Sequence, residues 1–193
     1  MKNLIESANR HMPKSTRTYS KYVPYIEHLI ELFTEYDENP SDNKRQDVIK
    51  LIQSGDLKTD TITFKTSLNK SKHPDMLTDY DEGDFNKMKL FKVPGYNIGY
   101  ALKQYKDPNG VNKGFGELVA VHNNEPEVKG IGEVLIKSAI ENGATFLDHF
   151  DVPQLTNLYS KLGFKEFNRD DYDPDGTFKA KYGEVPVIYR KLT

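Results

Sequence analysis

The chain has 193 residues, 36% of them hydrophobic, with 27 Lys and Arg against 29 Asp and Glu for a formal net charge of −2. That length supports one domain with a buried core, and the balanced charge gives no general attraction to nucleic acid or anionic lipid. The absence of cysteine excludes disulfides, thiolate nucleophiles and cysteine-based metal sites. No apolar run is long enough to cross a bilayer. The opening MKNLIESANRHMPKS lacks the apolar centre of a secretory signal, so a cytoplasmic location is expected.

Residues 1–21 set Lys2, Arg10, Lys14, Arg17 and Lys21 against Glu6 and read as a basic N-terminal arm. Val23, Ile26, Leu29, Ile30 and Phe33 fall on one helical face. Asn39-Pro40 ends that helix, Ser41 is placed to cap a second one carrying Val48, Ile49, Leu51 and Ile52, and Gly55 suits its stop. These helices form an addition over 22–55, ahead of a core over 56–193. Ile62, Phe64, Thr66 and Leu68 alternate with polar residues and predict a strand. After the polar loop NKSKHPDMLTDYDEGD, Met88 and Leu90 predict a second strand. A turn at Pro94-Gly95 leads to a third, with Ile98, Tyr100 and Leu102. Asp107-Pro-Asn-Gly110 predicts another turn, and Phe115 to Val121 is apolar enough for a central strand. Ile131, Val134, Leu135, Ser138 and Ala139 share a helix face that closes at Asn142-Gly143. The strand ATFLDHF follows, then a helix VPQLTNLYSKL capped by Asp151 and stopped by Gly163. Strands FKEFNR and VPVIYRKL end the chain, with an acidic loop over 170–184 between them. This order predicts an α/β fold: a single domain around a mixed, largely antiparallel central sheet flanked by helices, with an N-terminal helical addition.

The loop EVKGIG (127–132) places Gly130 and Gly132 at the mouth of a helix. Unpaired N–H groups and the helix dipole favour an anion there, and glycine lets the backbone approach it closely. The loop is not the dinucleotide fingerprint, because Leu135 stands where a third glycine belongs. Nor is it a nucleotide P-loop, because no Gly-Lys-Ser/Thr follows. Tight packing of helix on sheet accounts for the same glycines. A second motif, DYDPDG (171–176), begins like a calcium loop. Its twelfth position is Tyr182 where calcium needs a glutamate, so a solvated acidic loop is the reading and no metal is expected.

The segment 114–167 resembles the core of the GNAT superfamily of acyl-CoA-dependent N-acetyltransferases. GELVAV matches its strand, EVKGIG its Gln/Arg-x-x-Gly-x-Gly/Ala loop, ATFLDHF its next strand and NLYSKLGFKEF its last helix and strand start. The combined run is most similar to GNAT-like domains encoded by tailed phages, some of them parts of virion proteins. The helices ahead of the first strand depart from the family's order. The resemblance implies that backbone amides of Val128, Lys129, Gly130, Ile131 and Gly132 hold the pyrophosphate of acetyl-CoA. Strands diverging after Val119 and Phe146 would admit the pantetheine arm, with Asn157 as a contact. Tyr159 falls where the family places the acid that protonates the leaving thiolate. Glu117 matches a general-base position, and His149 and Asp151 are alternative bases. Each has a plainer role beside it: core tyrosine, solvated strand residue, sheet-edge histidine, helix cap.

Glu127 stands where the family has Gln or Arg. A carboxylate beside a diphosphate costs about 1 kcal/mol per close charge pair in water, and several times that where screening is poorer. Glu125 adds to this, and Lys129 offsets part of it. Two function classes follow. One is an acyl-CoA-dependent N-acyltransferase with an amine acceptor. The other is a catalytically inactive GNAT-like structural or interaction protein of a phage particle, meeting protein partners or its own copies through the basic arm and acidic loop. Neither class involves nucleic acid or membrane insertion, and the expected location is the host cytoplasm or the virion.

Overall fold

The computed structural model describes residues 43–71, 80–106, 112–170 and 186–193, the side chains of 105, 106 and 112–115 aside. The expected basic arm, the helix at 23–33, the Ser41 cap, the turn at 107–110 and the acidic loop beyond Asp170 lie outside these residues. In chain order the elements are α1 (Asn43–Ser54), α2 (Thr61–Leu68), α3 (Glu82–Phe85), β1 (Lys89–Lys92), β2 (Ile98–Lys106) and β3 (Asn112–Asn123). Then come α4 (Gly132–Glu141), β4 (Phe146–Phe150), α5 (Pro153–Lys161), β5 (Phe164–Asp170) and β6 (Val187–Leu192). The strands form one six-stranded sheet ordered β1-β2-β3-β4-β6-β5. Neighbours are antiparallel except β3 and β4, which are parallel and joined through α4. The architecture is α/β with a mixed sheet flanked by helices, as expected.

Alternation along the strands feeds two apolar layers. On one face Tyr100, Leu102, Leu118 and Leu147 pack with Val48 and Ile52 of α1, Leu135 and Ile136 of α4, and Leu155 and Tyr159 of α5. Tyr100 Oη lies 3.0 Å from Ser138 Oγ and accepts from Asn142 Nδ2 at 3.1 Å, which ties β2 to α4. On the other face Leu90, Ala101 and Val119 pack with Phe64 and Leu68 of α2 and Phe85 of α3.

The segment expected as a strand at 62–68 is the helix α2. Phe64, Ser67 and Leu68 are buried at helical spacing, whereas Ile62 is 74% exposed. One surface isoleucine therefore imitated a strand's alternation. Asp60 sets the helix start, accepting from the Thr63 N–H at 2.9 Å and from Thr63 Oγ1 at 2.7 Å. Within the expected polar loop, an Asp81–Asp84 capping box starts α3. Asp151 does not cap α5. Val152 holds that position with Pro153 in the first turn. The Asp151 carboxylate instead accepts from Thr156 Oγ1 at 3.3 Å and Arg169 Nη1 at 2.5 Å.

A β-bulge interrupts β3. Gly99 faces His122 while Ala101 faces Val119, so β3 carries one residue more than β2 over this stretch. The extra residue includes Ala120 at φ 50, a left-handed conformation that costs a side-chain-bearing residue about 1–2 kcal/mol. His122 braces it, with Nδ1 3.0 Å from Ala120 O and Nε2 2.8 Å from Ser67 Oγ of α2.

Candidate functional site

The β3–β4 ladder pairs Glu117 with Phe146 and Leu118 with Leu147, and there it ends. From Val119 and Asp148 onward the strands part, just where the bulge bends β3. Each strand then leads to a helix, and both helices start without a side-chain cap, at Ile131 for α4 and Val152 for α5. Two positive dipole ends thus stand beyond the C-terminal ends of two parallel strands, the place where α/β sheets hold ligands.

Gly130 takes φ 66, which glycine adopts without penalty. The first intrahelical bond of α4 is Leu135 N–H to Ile131 O at 2.9 Å. The amides of Gly132, Glu133 and Val134 precede it and have no helical acceptor. Val128 differs from the expectation, since its amide donates to Glu125 O at 3.0 Å and is committed within the turn. The side chain of Val119 belongs to the apolar layer under α2, so only its backbone lies at the parting.

Every acid around this loop has a partner. Glu127 pairs with Lys44 of α1, whose hydrogen bond and charge depress its carboxyl. Glu125 accepts from the backbone N–H and Nδ2 of Asn97, both at 2.6 Å. Glu133 accepts from Lys137 and Lys161 at 2.7 Å each, which hold its carboxyl down to about 2. Arg45 donates to the carbonyls of Lys129 at 3.1 Å and Gly130 at 3.3 Å. Lys44, Arg45, Lys129, Lys137 and Lys161 therefore outnumber Glu125, Glu127 and Glu133 around the loop. That surplus offsets the repulsion expected from Glu127, and the residues fit an anionic group.

Glu117 lies on β3 just before the parting, 15% exposed and 3.3 Å from Lys103 Nζ of β2. Burial raises its carboxyl above the ordinary range; Lys103 opposes this and Asp148 adds to it. Burial likewise raises Asp148, again against Lys103. Burial works against the charge of Lys103 itself, but Glu117, Tyr80 and Asp148 outweigh it and raise its pKa.

His149 is not placed to act as a base. Its Nδ1 is 2.6 Å from Phe150 O, and its Nε2 accepts from Arg190 Nε at 2.8 Å. Its one lone pair is therefore taken, and burial lowers it to about 4. Arg190, itself buried, also donates to Ser160 Oγ at 3.0 Å and Phe164 O at 3.1 Å. Asp151 is bound to Arg169 and Thr156. Tyr159 is 5% exposed, its ring 5.1 Å from His149 and 6.1 Å from Phe164. Burial, with the charge of Asp148, pushes its hydroxyl well above the usual tyrosine value.

Asn157 is exposed on the side of α5 away from Leu155 and Tyr159, so it does not join the other candidates. Gln154 is the polar side chain that sequence reasoning missed. It shares a helical face with Leu158 and Lys161, the face that reaches α4 through Glu133. Its Oε1 is buried with no hydrogen-bond partner among the described residues. Lys103 and Asp148 were missed as well, because only the strand register sets them beside Glu117. Among the described residues no group of His, Asp and Glu is arranged to hold a metal ion, and no helix is long and apolar enough to cross a membrane. No family model and no curated protein matches the chain.

Proposed function

We propose that the chain is an acyl-CoA-dependent N-acyltransferase of GNAT-like fold, carrying an acetyl group from acetyl-CoA to an amine. The observation that carries this reading is the parting of β3 from β4 after two register pairs, between two uncapped helix starts. It offers a slot for a narrow pantetheine arm and an amide-lined, cation-rich end for a diphosphate. In this reading the amides from Gly130 to Val134, with Lys44, Arg45 and Lys129, take the anionic end. The Gln154 Oε1 accepts from an N–H of the arm.

Bound acetyl-CoA supplies a thioester carbonyl and a sulfur leaving group. Glu117 takes one proton from the acceptor ammonium, since the nitrogen needs its lone pair to form the C–N bond as the C–S bond breaks. Its raised pKa suits it to that transfer. The Tyr159 hydroxyl keeps its proton, because a thiol with a pKa of about 8.5 is a stronger acid than a phenol held this high. Tyr159 therefore donates a hydrogen bond to the departing sulfur, and the second proton that the nitrogen sheds on becoming an amide passes through solvent to make that sulfur a thiol.

Calorimetry with acetyl-CoA is expected to give micromolar affinity. Gly132→Asp, which sets a carboxylate at the helix mouth, is expected to abolish it while circular dichroism still reports the native fold. No binding at millimolar cofactor rejects the reading. Glu127, where the motif calls for Gln or Arg, favours a second reading: a catalytically silent domain serving as a structural part of a phage particle. Such a domain binds no acetyl-CoA and co-purifies stoichiometrically with an assembly, an association lost on deleting residues 1–21.

A further inference from the structure

On the sheet face opposite α4 and α5, strand register lines up a row of side chains. Lys103 stands beside Glu117, Glu117 beside Phe146, Phe146 beside Lys191, and Lys191 beside Lys165. Charge is segregated along this row. At β3 and β4 the carboxylates of Glu117 and Asp148 face one cation, Lys103, which leaves a net negative end. The side chain of Asp148 reaches the surface, although surrounding groups shield its carboxyl partly from water, and it has no ion pair among the described residues. At β6 and β5 the charges are Lys191 and Lys165, both exposed. Glu166 points to the other face, where it pairs with Arg169 at 3.1 Å. Between the two ends lies the ring of Phe167, 48% exposed, with Lys191 Nζ 6.0 Å from its centroid and Phe146 beneath at 5.5 Å. Strands β3 and β6 are two steps apart in the sheet. At about 4.8 Å per step Glu117 is about 10 Å from Lys191, and Asp148, diagonal to Lys191 across β4 and β6, is about 7–8 Å from it.

A face ordered acid, ring, base complements a ligand ordered cation, apolar spacer, anion. We propose that the acceptor is a primary amine with an anionic group about 7–10 Å from its ammonium. The ammonium sits at Glu117 and Asp148, the spacer on Phe167, and the anion at Lys191 and Lys165. The proposal rests on the acyltransferase reading and adds Asp148, Lys165 and Lys191 to acceptor recognition. A free ω-amino acid and the C-terminal lysine of a peptide both carry this chemistry.

The probes are 6-aminohexanoate, hexylamine without the anion, 1,5-diaminopentane with a second cation in its place, and hexanoate without the ammonium. A short peptide ending in lysine, as free acid and as amide, separates the two sources. Binding is read from NMR shifts of the full chain, and transfer from thiol release with acetyl-CoA present. 6-Aminohexanoate is expected to bind up to about fivefold tighter than hexylamine or hexanoate, as one exposed ion pair allows, and tighter again than 1,5-diaminopentane. Lys165→Ala with Lys191→Ala removes its advantage over hexylamine, and Asp148→Asn its advantage over hexanoate. All three residues are on the surface, so folding is not at issue. A free-acid peptide that outbinds 6-aminohexanoate makes protein C-termini the source, and the reverse order makes it the free amino acid. Equal binding of the small probes, or a preference that survives the variants, overturns the proposal. Preferential binding without thiol release leaves the recognition face standing and removes the acyltransferase reading. Thiol release with every amine alike does the opposite.

Discussion

His122 is wedged between α2 and the bulge of β3, its ring edge-on to Phe64 at 5.3 Å. His149 holds Arg190 on the far side of the sheet. Both act as neutral imidazoles, and burial drops both to about 4. An unfolded histidine titrates near 6.5, so between these values the unfolded chain binds more protons and stability falls as the pH is lowered. The expected loss is about 2 kcal/mol per histidine from pH 7.5 to pH 5. Glu117 and Asp148 act in the opposite sense, because burial raises their folded pKa values and acid relieves them. Urea unfolding across this range is expected to show a slope that His122→Gln and His149→Gln each flatten. NMR should place both imidazole midpoints near 4, and a midpoint at 6.5 would show that the ring is not held as described.

Gly99 joins β1, β2 and the bulge at one point. A Cβ there would lie 2.4 Å from Phe91 O and 3.1 Å from His122 Cε1. A backbone carbonyl cannot swing aside as a side chain can, so Gly99→Ala must push β1 away or move His122 from its slot. The expected cost is about 1–3 kcal/mol, read from the denaturation midpoint. The helices were unequally legible. The face of α4 and the stops of α4 and α5 at Gly143 and Gly163 follow from spacing and glycine alone, and these formed as expected. Helix α2 was hidden because its eight residues span little more than two turns, and the exposed Ile62 filled the strand pattern. The Asp60 and Thr63 pair was the helix-start signal that the strand reading passed over. Helix α1 is more than an addition, since its Lys44 and Arg45 reach the loop after β3.

Across the molecule, the parting of β3 and β4 makes the two strand ends and the two helix starts a single receptor in the proposed reading. Acetyl-CoA at a hundred times its dissociation constant is then expected to stabilise the fold by about 2.7 kcal/mol. Hydrogen exchange should slow at 119–123 and at 130–134 together, because one ligand touches both. Slowing at the loop alone would mean that no arm enters between the strands.

Local pattern by itself determined the α/β class, the final run of strand, helix, strand, helix and two strands, and the glycines at a helix mouth. Periodicity and stop residues act within a turn or two of chain, so they can be read without knowing the neighbours. Only the tertiary structure decided that β6 lies between β4 and β5, and that β3 leaves β4 after two pairs. It also gave Glu127 a partner 83 residues away and His149 one 41 residues away. Contacts at such separations depend on strand register and helix docking, which no local spacing encodes.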